Sequence, residues 1–379
     1  MRVKLKNIDN SDQSSKFFYR ARRVEITPTS KAIETPYRIL NNSDLTAKAH
    51  TPSDIPLISP LAGMHLEINT NETEKLFTSN EYTNKLATKI EILKQQMQHS
   101  SIIFPFIQPS QTAIKAHLID DDLKIRALRM ILKVQGQAKL PLLGVPWLNY
   151  SPNLFRSVCN DLLNNSEQEF IFYLKADEKP AIIEEISDII LDHIATDRLN
   201  FIGIIHSRKA LVSYDILWEK FRQTNAAIVM SNVDRYDIHN SNLSSSHLDQ
   251  CILGDLFIPK VRRGGGASDN IDVFKRLRVF NHNDLTVNPI IEFDGNNWIN
   301  LIGEELNDNR VSLKLTHYQE AVNNQVKFNI LNYISKVHEY LSSTKEFVNT
   351  HPYLKDEDMK SYIESKDVLR SALQNLPGH

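Results

Sequence analysis

Cysteine is nearly absent from this chain: only Cys159 and Cys251 occur in 379 residues. Two thiols cannot build a disulfide framework, a zinc site of three or four cysteines, or an iron–sulfur cluster. They point to a reducing compartment. Long apolar runs are missing too. No stretch approaches the roughly 20 residues needed to cross a bilayer, and the opening MRVKLKNIDNSDQSSK has no apolar signal-peptide core. A cytoplasmic protein without a membrane partner is expected. Neither sign of charge dominates, since the formal net charge is -2. No global field draws such a chain to nucleic acid, although a local basic patch can still bind phosphate. Familiar motifs are also lacking. Without H-E-x-x-H or an early H-x-H, the common zinc hydrolases are disfavoured, and without G-x-G-x-x-G after a strand so is a dinucleotide fold. No cofactor and no metal is implied.

What is present is a repeated grammar. Apolar runs at 36–40, 55–64, 101–109, 142–150, 169–177, 201–207, 226–232 and 251–258 end in polar or charged residues. Amphipathic stretches such as 73–98, 122–134 and 181–194 separate most of them. Strands alternating with helices imply parallel βαβ units, and eight of them predict an α/β fold of the (β/α)8, TIM-like barrel type. The turn residues Thr27 to Ser30 between β-rich runs add an N-terminal antiparallel hairpin. No helix is legible between the first two runs, and the fallback is an open sheet of six strands. The predicted organisation is a flexible 1–16, a hairpin and barrel over 17–266, an inserted subdomain over 267–310, and a last barrel helix with a C-terminal helical region over 311–379. Asp120, Asp121 and Asp122 sit just before a helix and read as capping rather than metal ligands.

Chemistry in such a barrel gathers at the C-terminal ends of the strands. That rule nominates Gln108, Asn149, His206, Arg208, Lys209, Asp234, Arg235 and Lys260. Asp255, inside the eighth run, is expensive to bury without a partner, so it is either a pocket carboxylate or half of an ion pair. After it comes VRRGGG, with Arg262, Arg263, Gly264 and Gly265. Arginine matches phosphate geometry, glycine exposes backbone N–H groups, and barrels often hold phosphate near this place. The alternative is a solvated basic loop. His206 is placed for acid–base work, or is a structural histidine.

The segment RRVEITPTSKAIETPYRILNNSDLTAKA, with Thr35-Pro36, resembles the opening of the tRNA-guanine transglycosylase superfamily. LGDLF resembles that family's G-x-D-x-F segment, with Gly254, Asp255 and Phe257 in register. The resemblance implies a barrel acting on, or binding, a purine or 7-deazapurine base in DNA or tRNA. By this scheme Asp255 or Asp234 attacks the anomeric carbon, Arg262 and Arg263 hold backbone phosphate, and a slot near Ala62 and Gly63 receives the flipped base. The chain departs from the family where Ser59 to Gly63 replaces Asp-Ser-Gly-Gly-Phe-Gln, where Ile258 falls at the nucleophile, and where the zinc-binding cysteines are missing. Two other classes therefore stand beside the exchange enzyme. One is a lyase or isomerase of a small phosphorylated metabolite, using His206, Lys209 and the basic loop. The other is a non-catalytic subunit, working with a partner or as a homodimer.

Overall fold

The computed structural model describes residues 1–11, 15–28, 31–49, 58–261, 278–289 and 328–376. Arg262, Arg263, Gly264 and Gly265, and much of the expected insertion, lie outside the described residues.

The chain opens with strand β1 (Arg2–Asn10), antiparallel to β2 (Arg20–Thr27), which pairs with β3 (Ile33–Glu34). The expectation of a flexible 1–16 is thus corrected over residues 2–10. Val3 and Leu5 alternate with Arg2, Lys4 and Lys6, a period of two that the charges obscure. Val3 enters the core while Lys6 pairs outside with Glu25 at 3.0 Å.

β4 (Tyr37–Arg38) and β5 (Leu40–Asn41) form one extended run, interrupted at Ile39, and α1 (Asn42–Ala49) follows at once. That helix supplies the element missing from the sequence reading. The second long run also shifts. Its strand is β6 (Leu61–Ile68), which runs four residues past Met64 because His65 and Glu67 continue the alternation. Ser79 divides the next helical stretch into α2 (Thr70–Thr78) and α3 (Asn80–Gln96), capping the second. β7 (Ile102–Pro109), α4 (Gln111–His117) and α5 (Asp121–Gln137) come next, and the Asp120 side chain caps the last of these through Leu123 N at 2.8 Å. β8 (Leu142–Val145) is shorter than the run that announced it, since Pro146 brings no N–H to a ladder. The alternation continues through α6 (Pro152–Asn165), β9 (Glu169–Lys175), α7 (Pro180–Ala195), β10 (Phe201–Ile205), α8 (Leu211–Phe221) and β11 (Ala227–Val233). β12 (Tyr236–Asp237), β13 (Leu243–Ser244) and α9 (Ser245–Asp249) lead to β14 (Leu256–Pro259). Beyond it lie β15 (Arg278–Asn281), β16 (Thr286–Pro289), α10 (Phe328–Lys355), α11 (Met359–Glu364) and α12 (Asp367–Gln374).

The fold is mixed α/β. Six parallel strands pair in the order β4-β14-β11-β10-β9-β8, and three more pair in parallel as β5-β6-β7. β15 and β16 form an antiparallel pair that joins β13 and β12, so the described part of the insertion is a small sheet. Both faces of the parallel strands are apolar, which is why they read as continuous runs. On β9, Phe170, Phe172 and Leu174 pack on the helix side, while Ile171 and Tyr173 face the other core with Phe104, Phe106, Phe201 and Ile258. Val3, Val24, Ile26 and Ile33 join that second core beside Ile102, Leu142, Ala227 and Leu256, each the first residue of its strand. The hairpin therefore covers the N-terminal ends of the strands and leaves the C-terminal ends for function.

The beginning and end of the described chain are clasped. Buried Asp9 accepts from the Tyr19 hydroxyl at 3.1 Å and from Met359 N at 2.7 Å, and Asn7 Nδ2 donates to Lys355 O at 3.3 Å. Cys159 and Cys251 are both buried free thiols. Among the described residues, no helix is long and apolar enough to cross a membrane.

Candidate functional site at the strand ends

Asp255 does not face a pocket. Residues 251–253 form a turn, so the eighth strand starts only at Leu256 and Asp255 stands at its N-terminal end. Its carboxylate is fully buried, 3.2 Å from Arg22 Nε, and accepts from Ile228 N at 2.8 Å. Arg22 spends its other N–H groups on the carbonyls of Phe221, Thr224 and Ala226. Burial pushes the Asp255 carboxyl up to about 6, against the pull of Arg22. This is the ion-paired alternative, and the assignment of Asp255 as nucleophile is corrected: the group is dry and at the wrong end of its strand.

The opposite end gathers most of the other nominated residues. His206 follows β10 and is buried, its backbone N bound to Ser231 O at 2.9 Å. Its Nε2 lies 3.2 Å from Asp249 Oδ2, while Arg208 donates to Asp249 Oδ1 at 2.9 Å. Arg208 also lies 3.6 Å from Asp237. Burial alone would raise the Asp249 carboxyl, but Arg208 and His206 outweigh it and hold it low. His206 is thus one corner of a closed charge cluster. Lys209 is exposed beside it. Asp249 was not foreseen: it sits in the five-residue α9, and only the fold brings it to His206.

Asp234 and Lys260 follow the adjacent strands β11 and β14. They lie 3.7 Å apart with about half of each side chain exposed, 45% and 48%. Arg235 pairs with Glu339 of α10 and donates to Arg278 O at 3.2 Å. A bulge at Asn232, whose φ is 62°, shifts the β11 register just before this cluster. Bulges at strand ends commonly re-aim the side chains that follow.

Gln108 and Asn149 prove different in kind. Gln108 Oε1 accepts from Trp147 N at 3.0 Å and its amide donates back to Trp147 O, replacing the ladder that Pro146 ends. It holds the strand end rather than offering itself to a ligand. Asn149 has φ 54° and a buried Oδ1 with no hydrogen-bond partner among the described residues. Ala62 and Gly63, expected to line a base slot, are filled: a Cβ on Gly63 would come within 2.9 Å of Ile258 Cγ2.

A cleft opens at this end where β5 meets β14. Asn41 Nδ2 donates to Pro259 O at 2.9 Å and forms its floor. Arg38, nearly buried, makes a two-pronged pair with Asp44 at 3.1 and 3.0 Å and stacks on Tyr340. Arg235 and Lys260 form the walls, with Lys336 and Glu339 of α10 above them. The comparisons with known proteins add no relative: no family model matches the chain and no curated protein matches it.

Proposed function

We propose that this chain is a transglycosylase-like (β/α)8 barrel that binds nucleic acid across its strand ends and acts there on a purine or 7-deazapurine base. The observation that carries the reading is the delivery of Arg208 and Lys209, Asp234 and Arg235, and Lys260 by three neighbouring parallel strands to one end. Closure of the barrel is supported on two seams. The run 37–41 pairs with β14 on one side and β6 on the other. At the other seam β7 lies so close to β8 that a Cβ on Gly144 would meet Pro105 O at 2.0 Å.

With Asp255 buried, Asp234 is the accessible carboxylate of the original pair. Its oxygen would bond to the anomeric carbon as the base leaves with the C–N electron pair, and an incoming base would displace it in turn. Lys260 beside it is suited to a backbone phosphate. A second reading, a non-catalytic subunit, is favoured by Ile258, whose aliphatic side chain packs against Gly63 where the resemblance expects a nucleophile.

The test is incorporation of labelled guanine or 7-deazaguanine into DNA and tRNA by the wild type and by Asp234→Ala, with strand binding measured across a salt series. Incorporation lost in Asp234→Ala supports the exchange enzyme. Incorporation equal in both removes Asp234 as nucleophile. Salt-sensitive binding without incorporation supports the subunit. No strand binding at low salt would sink both readings and leave the metabolite barrel.

A further inference from the structure

We propose that the free edge of β1 is a docking site for one extended acidic segment of a partner protein, taken up as an antiparallel strand at Val3. The site lies at the N-terminal ends of the parallel strands, opposite the mouth, and does not depend on what the mouth binds.

In the sheet β1-β2-β3, β1 is an edge. Val24 on β2 turns both of its backbone groups toward β3. Its N–H donates to Thr35 Oγ1 at 2.9 Å, and its carbonyl accepts from Thr35 N at 3.0 Å. Val24 stands opposite Leu5, and Ile26 opposite Val3. Leu5 and Val24 are therefore a pair without ladder bonds, and by the alternation of an antiparallel ladder so are Val3 and Ile26. The odd residues at the start of β1 thus point their N–H and C=O groups away from β2. Asparagines meet two of these residues: Asn200 Nδ2 donates to Met1 O at 3.3 Å, and Leu5 N donates to Asn225 Oδ1 at 3.1 Å. Val3 stands between them, and its N–H and C=O have no partner among the described residues.

A cleft of about 500 Å³ opens along this stretch, lined by residues 1–4, Asn200 and Asn225, with Ile194 and Leu199 at its side. At roughly 15 Å³ for each water-sized group it admits on the order of thirty non-hydrogen atoms, about four residues of chain. The two asparagines leave one rung open. An antiparallel strand fills that rung with a single residue, which exchanges both hydrogen bonds with Val3.

Charge selects the occupant. Arg2 and Lys4 flank Val3 on the exposed face of β1, and neither makes an ion pair among the described residues. Glu25, across from Lys4, is taken by Lys6 at 3.0 Å, and the Met1 ammonium by Glu169 at 2.8 Å. Of the described residues lining the cleft, Asp197 alone carries a carboxylate, so the two free cations outweigh it. A second copy pairing through the same edge would set these cations against their own like, which is unfavourable. In an added strand, the side chain opposite Val3 points toward the protein, and its neighbours lie on the face of Arg2 and Lys4. The fitting segment alternates apolar and acidic residues.

The experiment is calorimetric titration with capped tetrapeptides of alternating glutamate and valine: unmodified, N-methylated at the valines, and N-methylated at the glutamates. A lysine–valine peptide tests the charge, and wild type is compared with Lys4→Glu. Methylation changes the ligand alone, so the result does not turn on the folding of a variant. The unmodified and glutamate-methylated peptides are expected to bind alike. Methylating the valines should weaken binding about tenfold, because Val3 O is left without its donor. Lys4→Glu should weaken the acidic peptide about two- to fivefold, the worth of an exposed ion pair. Binding indifferent to methylation of the valines overturns the strand pairing. Equal affinity for the acidic and basic peptides overturns the acidic partner. No peptide binding overturns the inference outright, and a dimer in sedimentation would then assign the edge to a second copy. None of these outcomes touches the nucleic-acid reading.

Discussion

Replacing Asp255 by asparagine should flatten part of the pH dependence of stability. In the folded protein this carboxyl is raised by burial to about 6, against an ordinary value of 3.8. A raised acid favours the fold when protonated. Its contribution is therefore complete below about pH 3.8 and is lost as pH rises through about 6. Between pH 5 and pH 7.5 the loss comes to about 1.4 kcal/mol, a factor of ten in the folding equilibrium. Asparagine keeps an oxygen for the Ile228 N–H, which Asp255 now binds at 2.8 Å, and it does not titrate. Arg22 stays protonated at both pH values, so the cost of leaving it without its carboxylate cancels from the comparison. The assay is urea unfolding of both proteins at pH 5 and pH 7.5, with the slope checked for constancy. The wild type should lose about 1.4 kcal/mol more than Asp255→Asn over that interval. Equal losses would refute the reasoning. A wild type that gains instead would mean that attraction to Arg22 exceeds the cost of burial.

Three further substitutions test the architecture and the cluster at the strand ends. Gly144→Ala should cost about 3 kcal/mol or more, because its Cβ would lie 2.0 Å from the backbone oxygen of Pro105. Gly136→Ala in α5, with nothing within 4 Å of the added carbon, should be neutral or stabilising by up to about 1 kcal/mol in the same denaturation assay. Asp249→Ala should cost about 3–5 kcal/mol by leaving Arg208 and His206 without their shared carboxylate. Since that carboxyl is held low, its stabilisation is present at neutral pH and fades as pH falls, so the gap between wild type and variant should narrow in acid.

The strands were legible because most are apolar on both faces, which leaves runs such as Phe170 to Leu174 visible without any partner. Their ends were less so. Pro146 cut one strand short, and a turn at Cys251 to Leu253 moved the start of another, which carried Asp255 out of the strand and away from the mouth. β1 escaped notice because lysines occupy its outward positions. At the site, position along a strand correctly placed Asp234, Arg235, His206, Arg208 and Lys260 at one end. What position could not convey was pairing. Asp249 meets His206, and Glu339 meets Arg235, across 43 and 104 residues of chain, and no local spacing encodes either contact.

The clasp of Asp9 by Met359 bears on how the molecule is made. The two partners are 350 residues apart. At about 5–20 residues per second, β1 leaves the ribosome roughly 20–70 s before the helix that completes its burial. Until then the Asp9 carboxylate lacks one of its two donors. A stalled or clipped product without α11 therefore carries its defect at the opposite end of the described chain, in a buried carboxylate short of one donor.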